Sequence, residues 1–305
     1  MGKKILARPS IVLTIAGSDS GAGAGIQADV KSISANGGYA VTVITAITAQ
    51  NTNGVQNILP VPINLVEDQL CSVFKDFSID SVKIGMLPNT EIVKVVASTL
   101  NKYKPKFVVL DPVMVSSSGK ILMEQDVIPV IVEDLFPYCT LVTPNLDETI
   151  SIMSNVGSKY FFKKHNTLNI DDTNLINVIK DSAFEIHKLG ADNVLVTGVS
   201  YDFLNNQDAV TLSKNENLID ILLSNSKFSF SRKQKILSKN THGTGCSLSS
   251  TIATNLALGE SIVDAVELSQ KYVYECILSS QNLKIGTGCG PINHFFSPKS
   301  LKVFN

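Results

Sequence analysis

Short apolar runs rich in β-branched residues alternate along the chain with stretches whose apolar residues recur every three or four positions. Residues 11–15 form the first such run, which stops at Ala16-Gly17-Ser18-Asp19-Ser20-Gly21-Ala22-Gly23-Ala24-Gly25. That pattern predicts a strand followed by a glycine-rich loop. Ile26, Val30 and Ile33 then fall at i, i+4 and i+7 ahead of Gly37-Gly38, which predicts an amphipathic helix with its C-terminal stop. The unit repeats. Further strands are expected at 41–47, 82–84, 107–110, 141–142 and 194–196. Helical stripes run through Val66, Leu70, Val73 and Phe77, then Ile92, Val95, Val96 and Leu100, then Val127, Ile131 and Leu135, and later Leu175, Ile179, Ile186 and Leu189.

Continuous apolar strands separated by helices need right-handed crossovers, so the expected architecture is a three-layer α/β fold with a mostly parallel sheet covered on both faces. One domain spanning 1–305 is the expectation, with no linker or internal repeat. Ligands in such sheets bind beyond the carboxyl ends of the strands, where Gly17-Ser18-Asp19, Gln50-Asn51, Asp111, Asn145 and Thr197 all stand. Segments 155–173 and 205–235 read as surface decoration, the second with short alternating runs that can add antiparallel strands.

Composition narrows the classes. Hydrophobic residues make up 44% and charged ones 17%, which excludes a disordered chain, and a formal net charge of −1 offers no field for nucleic acid or an anionic membrane. No run of eighteen apolar residues occurs and the start lacks a signal-peptide pattern, so a cytoplasmic protein is expected. The five cysteines are scattered without a C-x-x-C pair, which indicates neither a disulfide framework nor a zinc site.

Two glycine-rich segments invite phosphate. The first, Gly21 to Gly25, is spaced G-x-G-x-G rather than G-x-G-x-x-G, and the second strand ends in Thr48-Ala49-Gln50 with no acid, so a dinucleotide site is disfavoured; no P-loop motif occurs. A tight structural turn is the competing reading there. The second, Asn240-Thr241-His242-Gly243-Thr244-Gly245-Cys246-Ser247, directly precedes an apolar helix over 248–258. Gly243 and Gly245 let backbone N–H groups converge, and the helix dipole adds positive potential, so an anion hole is expected. The same field is expected to lower the Cys246 thiol from about 8.5 toward neutrality. Asp111 and Glu148, both at strand ends, are candidate Mg²⁺ ligands against phosphate, or alternatively a turn cap and a first-turn helix residue.

Taken in order, Leu13-Thr14-Ile15-Ala16-Gly17-Ser18-Asp19-Ser20, Gly25-Ile26-Gln27-Ala28-Asp29, Thr48-Ala49-Gln50-Asn51-Thr52, Val82-Lys83-Ile84-Gly85-Met86-Leu87, Asp111-Pro112-Val113-Met114, Thr143-Pro144-Asn145-Leu146, Thr241-His242-Gly243-Thr244-Gly245-Cys246 and Gly290-Pro291-Ile292-Asn293-His294-Phe295 resemble the motifs of the hydroxymethylpyrimidine/phosphomethylpyrimidine kinases, within the ribokinase-like superfamily. The resemblance implies phosphorylation of 4-amino-5-hydroxymethyl-2-methylpyrimidine and of its monophosphate by Mg–ATP for thiamine assembly, in a homodimer. Carried onto this chain, it implies Gly17, Asp29, Gln50 and Val113 as pyrimidine contacts, and Gly243, Thr244, Gly245 and Cys246 as the catalytic turn. It further implies Asn145, Thr197, Gly198 and Thr241 at ATP, and Asp111 and Glu148 at Mg²⁺. Where the family carries Lys-Gly-Gly-His, this chain has Thr197-Gly198-Val199-Ser200, so one cation is missing. Pyridoxal/pyridoxine kinase is the nearest alternative; a non-catalytic pyrimidine- or nucleotide-binding protein and a thiol oxidoreductase are the readings from other classes.

Overall fold

In a computed structural model the described residues are 8–116, 119–124, 126–156, 172–200 and 217–304. A short ribbon pairs β1 (Arg8–Pro9) with β11 (Val303–Phe304). The main sheet contains β2 (Ile11–Asp19), β3 (Tyr39–Asn51), β4 (Gly54–Pro60), β5 (Ser81–Ile84), β6 (Val108–Leu110), β7 (Leu141–Val142), β8 (Val194–Ser200), β9 (Asn217–Ser224) and β10 (Lys227–Gln234). Its spatial order is β10-β9-β8-β7-β6-β5-β2-β3-β4. From β8 to β3 all neighbours are parallel, while β4 and the β9–β10 hairpin add antiparallel edges. The expected three-layer α/β fold is therefore present.

Side chains alternate across these strands, and each set meets its own layer of helices. Leu13, Ile15, Val82, Ile84 and Leu110 pack with α2 (Ile63–Asp76), α3 (Thr90–Tyr103), α4 (Val127–Asp134), α5 (Leu146–Asn155) and α6 (Asp172–Lys188). Val12, Val109, Leu141 and Leu195 pack on the other face with α1 (Gly25–Ala35), α7 (Thr244–Ala257) and α8 (Ile262–Ser280). The α8 stripe escapes a sequence reading because buried Ser269 and Gln270 interrupt its apolar positions, although Ser261 caps its start by accepting from the Asp264 N–H.

Two of the expectations are refined. β2 runs on through Gly17 to Asp19, with a register shift between Ala16 and Ser18, so the first three polar residues belong to the strand rather than the loop. The antiparallel strands expected within segment 205–235 are present at 217–234, where β9 pairs with β8, with a register shift between Val196 and Val199, and β10 pairs with β9, so this part extends the sheet and is more than decoration. Residues 157–171 and 201–216, the middle of the first decorated segment and the start of the second, lie outside the described residues.

Candidate active site

The carboxyl ends of the parallel strands open into a cavity of about 980 Å³. Gly17, Gln50, Asp111, Val113, Asn145, Glu148, Thr197, Gly198, Thr241, Gly243, Thr244, Gly245 and Cys246 all line it. Asp29 does not. It is fully buried in α1, where Lys83 Nζ donates to both carboxylate oxygens at 2.9 Å, Thr14 Oγ1 donates to Oδ2 at 2.6 Å and Ser250 Oγ donates to Oδ1 at 2.7 Å. A direct pyrimidine contact is thus replaced by a place behind the cavity wall, with Lys83 between Asp29 and the cavity.

Both glycine segments close the site, in different ways. The first is a nest already filled by the chain's own anion: Asp19 Oδ1 accepts from Gly21 N–H at 2.8 Å, and Oδ2 accepts from Gly23 and Ala24 N–H at 3.0 and 2.9 Å. Burial pushes the Asp19 carboxyl up, but the His242 hydrogen bond and these N–H groups outweigh it and hold the group below the usual carboxylate range. The structural-turn reading of this loop accordingly accounts for its glycines. The second segment wraps against the first. Gly243 stands at φ +85°, and a Cβ there would overlap the Gly23 carbonyl oxygen, so only glycine closes this turn.

From that turn α7 begins with Thr244, placing Gly245 and Cys246 in its first turn. Cys246, Ser249 and Ser250 share one face at i, i+3 and i+4. Ser249 Oγ donates to Asp111 Oδ2 at 3.2 Å while Ser250 bonds Asp29, so this face lies over both carboxylates. The thiolate expectation is corrected here. Burial, with the charges of Asp29 and Asp111 adding to it, pushes the half-buried Cys246 thiol up to about 12 despite opposition from Lys83 and the Gly25 N–H. The helix terminus alone does not offset a site with two further carboxylates.

Those carboxylates repel each other. Burial pushes Asp111 up to about 6, helped by Asp29 and opposed by Lys83; burial and the Asp111 charge push Glu148 up to about 8. Glu148 also has the structural role weighed for it, since its Oε2 accepts from Asn145 N–H at 2.9 Å and Asn145 Oδ1 accepts from Glu148 N–H at 2.9 Å, a capping box on α5. Among the described residues no cluster of three or more His, Cys, Asp or Glu forms a protein-only metal cage. Two buried carboxylates, Glu148 being raised by the Asp111 charge, suit a divalent cation that takes its remaining ligands from phosphates and water.

At the far end, Gly198 (φ +69°) donates its N–H to Asp220 Oδ1 at 2.8 Å, and Gln270 Nε2 donates to Asp220 Oδ2 at 2.8 Å. Lys233 and Lys235 of the 217–235 segment line the same cavity. Burial lowers the Lys233 amine, partly offset by Asp220. Thr197 brings no cation to the cavity, whereas Lys233 of β10 and Lys235 just after it do line it. Asp19, Lys83, His242, Asp220 and Lys233 had no assigned role in the sequence reading. A lysine between Val82 and Ile84, in a strand buried on both faces, was the one legible signal.

Comparison with known proteins decides the family. The sequence model of the phosphomethylpyrimidine kinases matches residues 19–293. The chain belongs to the phosphomethylpyrimidine kinase family. The hydroxymethylpyrimidine/phosphomethylpyrimidine kinase of Rhizobium meliloti is 38% identical over 286 residues, covering 94% of this chain and 97% of that protein. The thiamine biosynthetic bifunctional enzyme TH1 of Arabidopsis thaliana, described as chloroplastic, is 39% identical over 289 residues; the chain spans 50% of its length. A crystal structure of phosphomethylpyrimidine kinase from Clostridium difficile has a TM-score of 0.69 at 36% identity over 88% of this chain and 99% of that one. The Staphylococcus aureus pyridoxal kinase in complex with AMP-PCP and pyridoxal has a TM-score of 0.75 at 28% identity over 93% of each chain. This family membership makes the chain a kinase, and no described helix is long and apolar enough to cross a membrane.

Proposed function

We propose that the chain transfers the γ-phosphoryl of ATP to the hydroxymethyl oxygen of 4-amino-5-hydroxymethyl-2-methylpyrimidine and then phosphorylates the monophosphate, in thiamine biosynthesis. The observation that carries this reading is the convergence in one cavity of the Gln50 amide, the Gly243–Cys246 turn and the Asp111 carboxylate. An aminopyrimidine presents donor and acceptor on one edge, which a carboxamide answers with its oxygen and its NH₂. Gly17 and Val113 shape the wall beside it. The backbone N–H groups of Gly245 and Cys246 at the start of α7 face the transferring phosphoryl and stabilise its charge, while Thr244 donates its N–H to the Thr241 carbonyl at 3.4 Å and holds the turn.

As the new O–P bond forms and the γ-phosphorus loses its bond to the departing ADP, the hydroxymethyl proton must leave, and the thiolate form of Cys246, on the cavity wall, accepts it to become the thiol. A thiol resting near 12 makes its thiolate the minor form before ligands bind, so Lys83 and the Gly25 N–H are what favour it. Mg²⁺ held by Asp111 and Glu148 against the nucleotide phosphates would supply charge neutralisation. In this reading the nucleotide lies against Asn145, Thr197, Gly198, Thr241 and Lys233, all of which line the cavity. The similarity to pyridoxal kinases favours a second reading, phosphorylation of a pyridoxine-type ring in the same cavity. Incubation with Mg–ATP and the pyrimidine alcohol, with mass identification of mono- and diphosphorylated products, tests the proposal. Absence of both products, with pyridoxine phosphorylated instead, refutes it.

A further inference from the structure

One arrangement beside the phosphate turn has no role in the chemistry above. His242 Nε2 lies 2.9 Å from Asp19 Oδ2 and 3.2 Å from the Gln50 carboxamide, whose other end lies 3.1 Å from Thr48 Oγ1. Asp19 and Thr48 are buried, and the Gly23 backbone packs so closely on the imidazole that a Cβ there would stand 2.3 Å from its Cδ2. The ring is therefore fixed in position by the loop that Asp19 organises.

The hydrogens available settle how the amide sits. Asp19 receives three backbone N–H groups and is ionised, so it can only accept, and the hydrogen between it and His242 belongs to Nε2. A Gln50 NH₂ facing that nitrogen would set two hydrogens against each other. Thr48 has one hydroxyl hydrogen, and the Ser18 carbonyl accepts it at 2.9 Å, leaving an oxygen lone pair toward the amide. One way round leaves no two hydrogens opposed: the Gln50 oxygen faces His242, whose single Nε2–H it shares with Asp19, and the Gln50 NH₂ faces Thr48. The outward edge of the amide then offers acceptor and donor in a fixed order.

We propose that His242, held by Asp19 and aided by Thr48, is a positioning residue that fixes which way the Gln50 carboxamide faces, and thereby makes the cavity select an aminopyrimidine over a pyridoxine-type ring. This rests on Gln50 meeting the ring, as in the function proposed above. A freely turning carboxamide offers both orders and discriminates less.

The test measures kcat/KM for the aminopyrimidine alcohol and for pyridoxine at saturating Mg–ATP, or the inhibition constant of pyridoxine if it is not turned over. The parent is compared with His242→Leu, His242→Gln, Thr48→Val and Thr48→Ser. His242→Leu and Thr48→Val should each lower the aminopyrimidine value by about 10- to 100-fold, the range set by one unpaired polar group, while shifting pyridoxine and the KM for ATP by less than about threefold. His242→Gln, which keeps an N–H donor, and Thr48→Ser, which keeps the hydroxyl, should recover most of the preference. Parallel losses for both rings, or an unchanged ratio, overturn the inference. The inference and the underlying function separate at the parent: a parent that makes no pyrimidine phosphate refutes the function, whereas an active parent with unselective variants refutes the clamp alone.

Discussion

Replacing Lys83 with methionine removes the cation that both oxygens of Asp29 bind, in a place where neither side chain reaches solvent. Burying an ion pair is roughly neutral against an apolar pair of similar volume, but deleting one partner strands the other charge at about 3–5 kcal/mol. Thr14 and Ser250 each still give Asp29 a hydrogen bond, which favours the lower part of that range. Urea unfolding should therefore show Lys83→Met losing about 3 kcal/mol, Asp29→Asn losing a comparable amount through the stranded ammonium, and the double variant losing far less than the sum. Activity should divide differently. Lys83 also faces Cys246 and Asp111, opposing the rise of both groups, so the neutral double variant should fold well yet phosphorylate slowly. Its Cys246 should also alkylate more slowly with iodoacetamide at pH 8, since the thiolate has lost its cation. If the double variant were as active as the parent, Lys83 would serve only to neutralise Asp29. If Lys83→Met alone unfolded at the parent's urea concentration, the burial argument itself would fail.

Cys246→Ala should lower single-turnover phosphoryl transfer by about 10²–10⁴-fold while ATP binding, measured by titration, survives, because the α7 N–H groups do not depend on that side chain; a loss under threefold would reduce the thiol to packing. Glu148 carries a pKa raised above its unfolded value to about 8, so the folded protein binds the extra proton and its contribution to stability is full at low pH and lost as pH rises toward 8. Thermal melts of the ligand-free protein should accordingly fall between about pH 4.5 and 8, less so for Glu148→Gln, and an identical pH dependence in both would count against this assignment. Gly243→Ala places a methyl on the Gly23 carbonyl at positive φ, so it should destabilise by more than about 3 kcal/mol or leave a folded protein that has lost phosphoryl transfer; a stable, fully active variant would contradict the interlocked turns.

Local pattern alone carried the alternation of strands and helices, the mostly parallel sheet and the edge of it where chemistry gathers, because period-two and period-3.6 apolar spacing are properties of neighbouring residues. It also carried the Gly243–Cys246 turn, Asp111, Glu148 and Gln50, since each follows a strand or opens a helix and so reaches the cavity by chain direction. What the tertiary structure decided concerns partners distant in sequence. Asp29 looked like a ligand contact until Lys83, 54 residues on, was seen to bind both its oxygens. The first glycine loop, where spacing already disfavoured a dinucleotide site, gained its reason only when Asp19 was found inside it, and Cys246 looked acidic until burial beside Asp29 and Asp111 raised it. Segment 205–235 read as surface decoration able to add antiparallel strands, but only the order of the sheet brought its Lys233 to the cavity. Charge and burial are sums over everything near a group in space, and spacing along the chain does not contain them.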